Sequence, residues 1–233
     1  MKYILWDIDG TLLLTNLAGV AALKTTIQNL YGLDNFEFTY GMAGRTDSYI
    51  VRKAIEGIKG SCTPEEISHL MHTYARLLPQ TLIEKQGHLL PNVKTTLEAI
   101  KAQPDLTSLL LTGNGELAAH AKLAYFGIEQ DFSYEASAFG EISELRDDLS
   151  KALWQKLQKM DPSVKKEDVV IMGDTPHDIT CAAAVGIRCV IILAGSAYQK
   201  EKLESYHPWK IIDKLPENPQ DLFTLLFSKE VSL

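Results

Sequence analysis

Hydrophobic and polar positions form two alternating textures along the chain. Short apolar runs end in Gly, Asp, Thr or Asn: "YILWDIDG", "SLLLTGN", "DVVIMGD" and "CVIILAG". Such runs predict buried parallel strands whose ends carry polar residues. Between them lie stretches with helical spacing. "RDDLSKALWQKLQKM" places Leu149, Ala152, Leu153, Leu157 and Met160 on one face. "PHDITCAAAVGI" is small and apolar, closes at Gly186 and leads directly into the next run. Strand and helix in alternation predict an α/β fold with a doubly wound parallel sheet.

From about Thr15 to Gln86 the strand texture stops. Helical patterns replace it: Val20, Leu23, Ile27 and Leu30; then Ile50, Val51, Ala54, Ile55 and Ile58; then Ile67, Leu70, Met71, Tyr74, Leu77 and Leu78. The third opens "TPEE", where Thr63 and Glu66 fit a capping box with Pro64 in the first turn. "QGHLLPNV" reads as the return crossing, punctuated by Gly87 and Pro91. The expected organisation is an α/β core over residues 1–14 and 88–233, interrupted by an all-helical cap over 15–87.

Composition narrows the function classes. With 233 residues the chain can bury a full α/β core and a smaller unit. A formal charge of -7 argues against a nucleic-acid partner, because phosphate backbones select basic patches. It leaves room for a small phosphate ligand held by a few local groups. Cys62, Cys181 and Cys189 show no paired spacing and read as reduced, mostly buried thiols. No apolar run reaches the ~18 residues of a membrane helix, and Asp7 interrupts the N-terminus before a signal-peptide core forms. The expectation is a cytoplasmic protein with no membrane or nucleic-acid partner, a monomer or weak homodimer.

The strand ends hold the chemistry. Asp7 and Asp9 follow the first apolar run, Thr112, Gly113 and Asn114 the second, and Asp174 and Asp178 follow "DVVIMG". Ligands of open α/β sheets bind at the carboxyl ends of the strands, so these groups should meet. Up to four carboxylates in one place demand a cation. With only oxygen ligands on offer, that cation is a hard one, and Mg²⁺ is the usual choice beside phosphate. Thr112 offers a hydroxyl, Gly113 lets a backbone N–H approach an anion, and a helix starting near Gly115 points its positive end inward. A cation, an anion cradle and a nearby carboxylate together suit phosphoryl transfer.

These residues carry a family resemblance. "DIDGTL" resembles the DxDGT signature of haloacid dehalogenase-like (HAD) hydrolases in their phosphatase branch. "LLTGN" resembles that family's second motif and "GDTPHD" its fourth. The helical block resembles the C1-type cap, so the likeness spans the whole chain and implies a Rossmann-like core.

By that resemblance Asp7 is the nucleophile, forming an aspartyl-phosphate, and Asp9 is the general acid and base. Mg²⁺ would be held by the Asp7 carboxylate, the Asp9 main-chain carbonyl and Asp174, with Asp178 a further acidic ligand or acting through water. Thr112, Gly113 and Asn114 would hold the phosphoryl group. At i and i+2, Asp7 and Asp9 can flank the phosphorus. The third motif departs from the pattern: Arg146 is the first choice for its cation and Lys151 the alternative.

Other residues divide between site and scaffold. Trp6 reads as core packing and Asp47 as the cap of the helix "DSYIVRKAI". His177 either orients the fourth-motif loop or sits exposed at a helix start. His120 and Lys122 read as a solvated helix face. In "YGMAGRTDSY", Arg45, with Thr46, either contacts a substrate carboxylate or second polar group, or packs against the cap's own acids.

Within the family the likeness is greatest to phosphoglycolate phosphatase-like enzymes. A small phosphorylated metabolite, with phosphoglycolate first, is the implied substrate. A β-phosphoglucomutase-like phosphomutase and a non-catalytic phosphate-binding regulator are the alternatives.

Overall fold

The computed structural model describes residues 1–228. Its strands are β1 (Lys2–Trp6), β2 (Leu13–Leu14), β3 (His88–Leu89), β4 (Leu106–Leu110), β5 (Val169–Gly173), β6 (Arg188–Ile192) and β7 (Lys210–Ile212). Its helices are α1 (Ala18–Tyr31), α2 (Asp47–Lys59), α3 (Pro64–Lys85), α4 (Val93–Lys101), α5 (Glu116–Tyr125), α6 (Arg146–Met160), α7 (Pro176–Val185), α8 (Lys200–Glu204) and α9 (Pro219–Phe227). Five strands form one parallel sheet in the order β4-β1-β5-β6-β7. The four apolar runs are β1, β4, β5 and β6. The three-residue β7 completes the edge and lacks an apolar run long enough to announce it.

Side-chain alternation divides the core into two layers. Ile4 and Trp6 of β1 join Val170, Met172 and Val190 on one face, covered by Val93 and Leu97 of α4, Leu123 of α5 and Leu222 of α9. Tyr3 and Leu5 join Val169, Ile171 and Ile191 on the other, covered by Leu149, Leu153 and Leu157 of α6 and Ile179 of α7. The α6 leucines are fully buried, and each contributes about 2 kcal/mol of hydrophobic stabilisation. Met160, expected on their stripe, lies 51% exposed at the last turn, beyond the reach of the sheet. Trp6 packs as expected, fully buried with its indole donating to Ser108 Oγ at 3.2 Å.

The helical cap is α1, α2 and α3, entered after β2 and left through β3. These two short strands pair antiparallel, Leu13 against Leu89 and Leu14 against His88. The backbone turns sharply at this junction. Asn16 and Leu17 are left-handed at φ 50° and 66°, and Gln86 at 50° on the return. The Asn16 amide bonds both the Lys85 and Gln86 carbonyls at 3.1 Å, tying the two crossings together.

The Thr63–Glu66 capping box forms as the sequence predicts. Helix α3 then runs past Leu78 and through Pro79 to Lys85, longer than its apolar pattern indicates. The cap has its own core of Leu23, Ile27, Val51, Ile55, Tyr74, Leu78 and Leu82, and this core includes Ala118 of α5. Among the described residues no helix is long and apolar enough to cross a membrane, and the three cysteines are free thiols.

Candidate active site

Register explains why the acids meet. Trp6 pairs with Leu110 on one side and Met172 on the other, and all three strands run the same way. Asp7, one residue on, and Thr112 and Asp174, two residues on, therefore emerge on one edge of the sheet. The Asp7 N–H still bonds the Met172 carbonyl at 3.0 Å, so the nucleophile candidate stands on a rigid ladder. Gly10 makes the turn that follows possible. Its φ is +85°, and a Cβ there would fall 2.3 Å from Asp174 Oδ2.

The floor of the site is charged and buried. Asp7, Asp174 and Asp178 each offer an oxygen within 4.8 Å of the others. Arg146 lies among them, with Nη2 2.5 Å from Asp178 Oδ1 and 3.4 Å from Asp7 Oδ1. Three carboxylates against one guanidinium leave two negative charges without a partner.

Burial pushes the Asp7 carboxyl up to about 6; Arg146 opposes the rise while Asp178 and Asp9 add to it. Asp174 is driven well above the usual carboxylate range by burial, then by Asp178 and Asp7. Burial works against the Arg146 charge, but Asp178 and Asp7 outweigh it and raise its pKa. An all-oxygen cluster two charges short is suited to a hard dication.

The four acids are not equivalent. Asp178 Oδ2 accepts from the Asp174 and Thr175 N–H groups at 3.2 and 3.0 Å and from Thr175 Oγ1 at 2.8 Å, while Oδ1 takes Arg146. Both of its oxygens are thus engaged in shaping the loop and aiming the guanidinium. Asp174 accepts from Thr11 Oγ1 at 3.2 Å. Lys151, the alternative third-motif cation, is exposed and pairs with Asp148 at 3.0 Å, away from the acids.

Asp9 sits on the open side, its side chain 42% exposed. Its Oδ2 accepts from Lys122 Nζ at 2.5 Å and Asn114 Nδ2 at 2.8 Å. Lys122 also donates to Asn114 Oδ1 at 2.6 Å. The expectation of a solvated Lys122 is therefore wrong: it is 4% exposed. The missed signal is that Lys122 follows Ala118 by four residues, on the stripe that α5 buries. His120 is half-buried rather than solvated, stacked on Tyr134 at 4.0 Å and bonded to Glu129 at 2.7 Å. Thr112 is fully buried, and its hydroxyl accepts from the Asn114 backbone at 3.2 Å and side chain at 2.9 Å.

The cap closes onto this floor. Thr46, not Asp47, caps α2, accepting from the Tyr49 N–H at 3.3 Å. Asp47 reaches across to the core instead. Its N–H bonds the Gly113 carbonyl at 2.7 Å, and its Oδ2 accepts from the Gly115 N–H at 2.9 Å and Tyr74 Oη at 3.1 Å. Burial raises the Asp47 pKa, against the pull of Lys122 and these two donors.

A Cβ at Gly113 would sit 2.2 Å from the Arg45 carbonyl, so only glycine allows so close an approach of cap to core. Gly44 lies against His177, which is half-buried beneath it. Burial, Arg45 and Arg146 lower the His177 pKa. The Arg45 guanidinium stacks 4.8 Å from the Tyr49 ring centre, rather than pairing with a cap acid.

One cavity of about 570 Å³ joins floor and cap. Asp7, Asp9, Gly113, Asn114, Arg45, Arg146 and Asp174 line it, together with Lys122 and Asp47. Thr112 and Asp178 support the lining from beneath.

A parallel sheet with acids at two adjacent strand ends and a Thr-Gly-Asn end beside them, under a helical cap, defines a class of α/β hydrolases. The haloacid dehalogenase-like hydrolase family matches residues 4–192, and the chain belongs to that family. Solved structures agree in fold. A variant of CbbY from Rhodobacter sphaeroides, in complex with xylulose-(1,5)bisphosphate, superposes with a TM-score of 0.71 at 16% identity, covering 92% of this chain and 94% of that one. A Bacteroides vulgatus protein named for β-phosphoglucomutase gives 0.67 at 17% identity over 97% and 88%. A Lactobacillus plantarum protein named for phosphoglycolate phosphatase gives 0.64 at 17% identity over 96% and 98%. No curated protein matches the sequence.

Proposed function

We propose that the protein is a Mg²⁺-dependent phosphomonoester hydrolase working through an aspartyl-phosphate on Asp7. The observation that carries this reading is the buried meeting of Asp7 with Arg146 and Asp174, with Asp9 beside it on the open side. Asp7, Asp174 and the Asp9 main-chain carbonyl would hold the ion, and Asp178 would set Arg146 and the loop. When bound, the ion supplies the missing positive charge and draws phosphate into place.

An Asp7 oxygen attacks phosphorus, and the bond from phosphorus to the alcohol oxygen breaks as Asp9 gives that oxygen its proton. Water then attacks phosphorus while Asp9 takes the water's proton, and the Asp7–phosphorus bond breaks to release inorganic phosphate. Lys122 and Asn114 both grip Asp9 Oδ2, which leaves Oδ1 to carry the proton. Arg146 neutralises charge on the transferring group. Its Nε is buried without an acceptor. Transfer to a sugar, as in a phosphomutase, calls for a polar wall, and the wall under the cap is mostly carbon.

Turnover of p-nitrophenyl phosphate with Mg²⁺, by the natural chain and by Asp7→Asn, tests the reading. Turnover should need both the metal and Asp7. Equal rates in the two proteins would overturn it.

A further inference from the structure

The phosphoryl floor reads only phosphate and metal, so the alcohol half of the substrate must be chosen by the remaining wall. We propose that this wall selects phosphate monoesters of uncharged, largely apolar alcohols, and disfavours those bearing a carboxylate or a second phosphate. The inference rests on the phosphatase reading and departs from phosphoglycolate as the first choice of substrate.

Three observations carry it. The upper wall is built from Leu17, Val20, Leu23, Met42, Ile50 and the Tyr74 ring. These come from α1, the loop before α2, α2 and α3, so apolar surface faces the floor from several directions.

Two of the cavity's three cations are already held by carboxylates. Among the described residues the cavity's basic groups are Arg45, Lys122 and Arg146. Lys122 is held by Asp9 and Asn114 at 2.5 and 2.6 Å, and Arg146 by Asp178 and Asp7 at 2.5 and 3.4 Å. A second anion would have to strip one of them from its carboxylate. Arg45, the third, is exposed and rests its guanidinium on the Tyr49 ring.

Two polar groups of the wall, Tyr74 and Asp47, satisfy one another. Tyr74 Oη donates to Asp47 Oδ2, which also caps the Gly115 N–H. Asp47 adds no positive charge, and in its ionised form it repels an anion. The cavity of about 570 Å³ is also far roomier than a two-carbon phosphorylated acid needs; it lies in the range that accommodates compact organic ligands.

Binding of inert phosphonates tests selection apart from hydrolysis. 2-Phenylethylphosphonate and 3-phosphonopropionate share the phosphonate head and differ in an apolar or a carboxylate tail. Calorimetry with Mg²⁺ and the natural chain should show the phenylethyl compound binding tenfold tighter or more, the scale at which an apolar pocket discriminates. Val20→Lys puts a cation on the half-buried wall and should shrink or reverse that ratio. Equal or tighter binding of 3-phosphonopropionate by the natural chain would overturn the proposal. The Asp7→Asn turnover comparison judges the hydrolase reading separately, so selection can fail while hydrolysis stands.

Discussion

At the floor of the site, Asp7, Asp174, Asp178 and Arg146 crowd charge into a buried space; at the roof, Val20, Leu23, Met42 and Ile50 present carbon. The floor is over-determined. Each of its side chains is fixed by a strand end, a backbone donor or an opposite charge, and its remaining deficit fits one kind of ion. The roof is built from three helices and a loop that contact the core through a few bonds at Thr46, Asp47 and Ser48. On the proposed reading, chemistry that must not vary sits on the rigid sheet, and choice of substrate sits on the part that can be rebuilt without disturbing it.

The sharpest way to break this division is at Asp7. Asp7→Asn should lower kcat by at least ~10³-fold, the scale of losing a nucleophile. It should also raise the melting temperature of the metal-free protein at pH 7. The folded-state pKa of Asp7 rises from 3.8 to about 6, so its ionised form destabilises the fold. That destabilisation is absent below pH ~4, grows between 4 and 6, and is complete above 6, where it amounts to about 3 kcal/mol. Thermal unfolding of both proteins from pH 4 to 7 reads it as a widening gap. A gap that stays constant across that range sinks the electrostatic account of the floor.

Arg146→Met should come next. It strips the one guanidinium from buried Asp178 and Asp7. Leaving a buried charge unpaired costs about 3–5 kcal/mol, and urea unfolding measures it. Arg146→Lys keeps the charge but loses the fork that spans both acids, so it should fall between the two. Were Arg146→Met to be as stable as the natural chain, Asp178 could not depend on it.

Floor and roof also differ in how far the sequence reveals them. Asp7, Asp9, Asp174 and Arg146 were legible because each follows an apolar run or opens a helix, and local pattern places it. Gly186 and the Thr63 capping box are local signals too, and both form. Lys122 and Asp47 depart from their local patterns because their partners lie 113 and 68 residues away, at Asp9 and Gly115. A charged residue on a helix is ordinarily solvated; only the packing of α5 under the cap reverses that. At "RTDS" both Thr46 and Asp47 can cap a helix, and tertiary contact decides between them. Strand β7 has no signature in the sequence because three residues carry too little periodicity to stand out.

Lys122→Met probes the seam between the two regions. It preserves bulk in the buried slot but removes the ammonium that fixes Asp9 Oδ2. The expected fall in kcat is about 10–100-fold, part of what a positioned acid and base supplies, with KM for p-nitrophenyl phosphate nearly unchanged. A rise in KM at constant kcat would place Lys122 in substrate binding instead and weaken the claim that two of the cavity's cations are held by carboxylates.

The smallest effect belongs to the far end of the roof. Thr63 and Glu66 close the first turn of α3 through two exposed hydrogen bonds of 3.3 and 2.8 Å, and neither residue lines the cavity. Thr63→Ala removes the cap's acceptor and should lower stability by about 1 kcal/mol, a shift of a few degrees or less in melting temperature for a chain of this length. Catalysis at the floor should be untouched, because α3 reaches the site through Tyr74, three turns further on, and Tyr74 is pinned by Asp47. Equal kcat and KM with lowered stability would separate the cap's folding from the chemistry beneath it. A tenfold loss of kcat would instead mean that fraying at the start of α3 travels to Asp47 and loosens closure, and the roof would then belong to the catalytic machinery as much as the floor does.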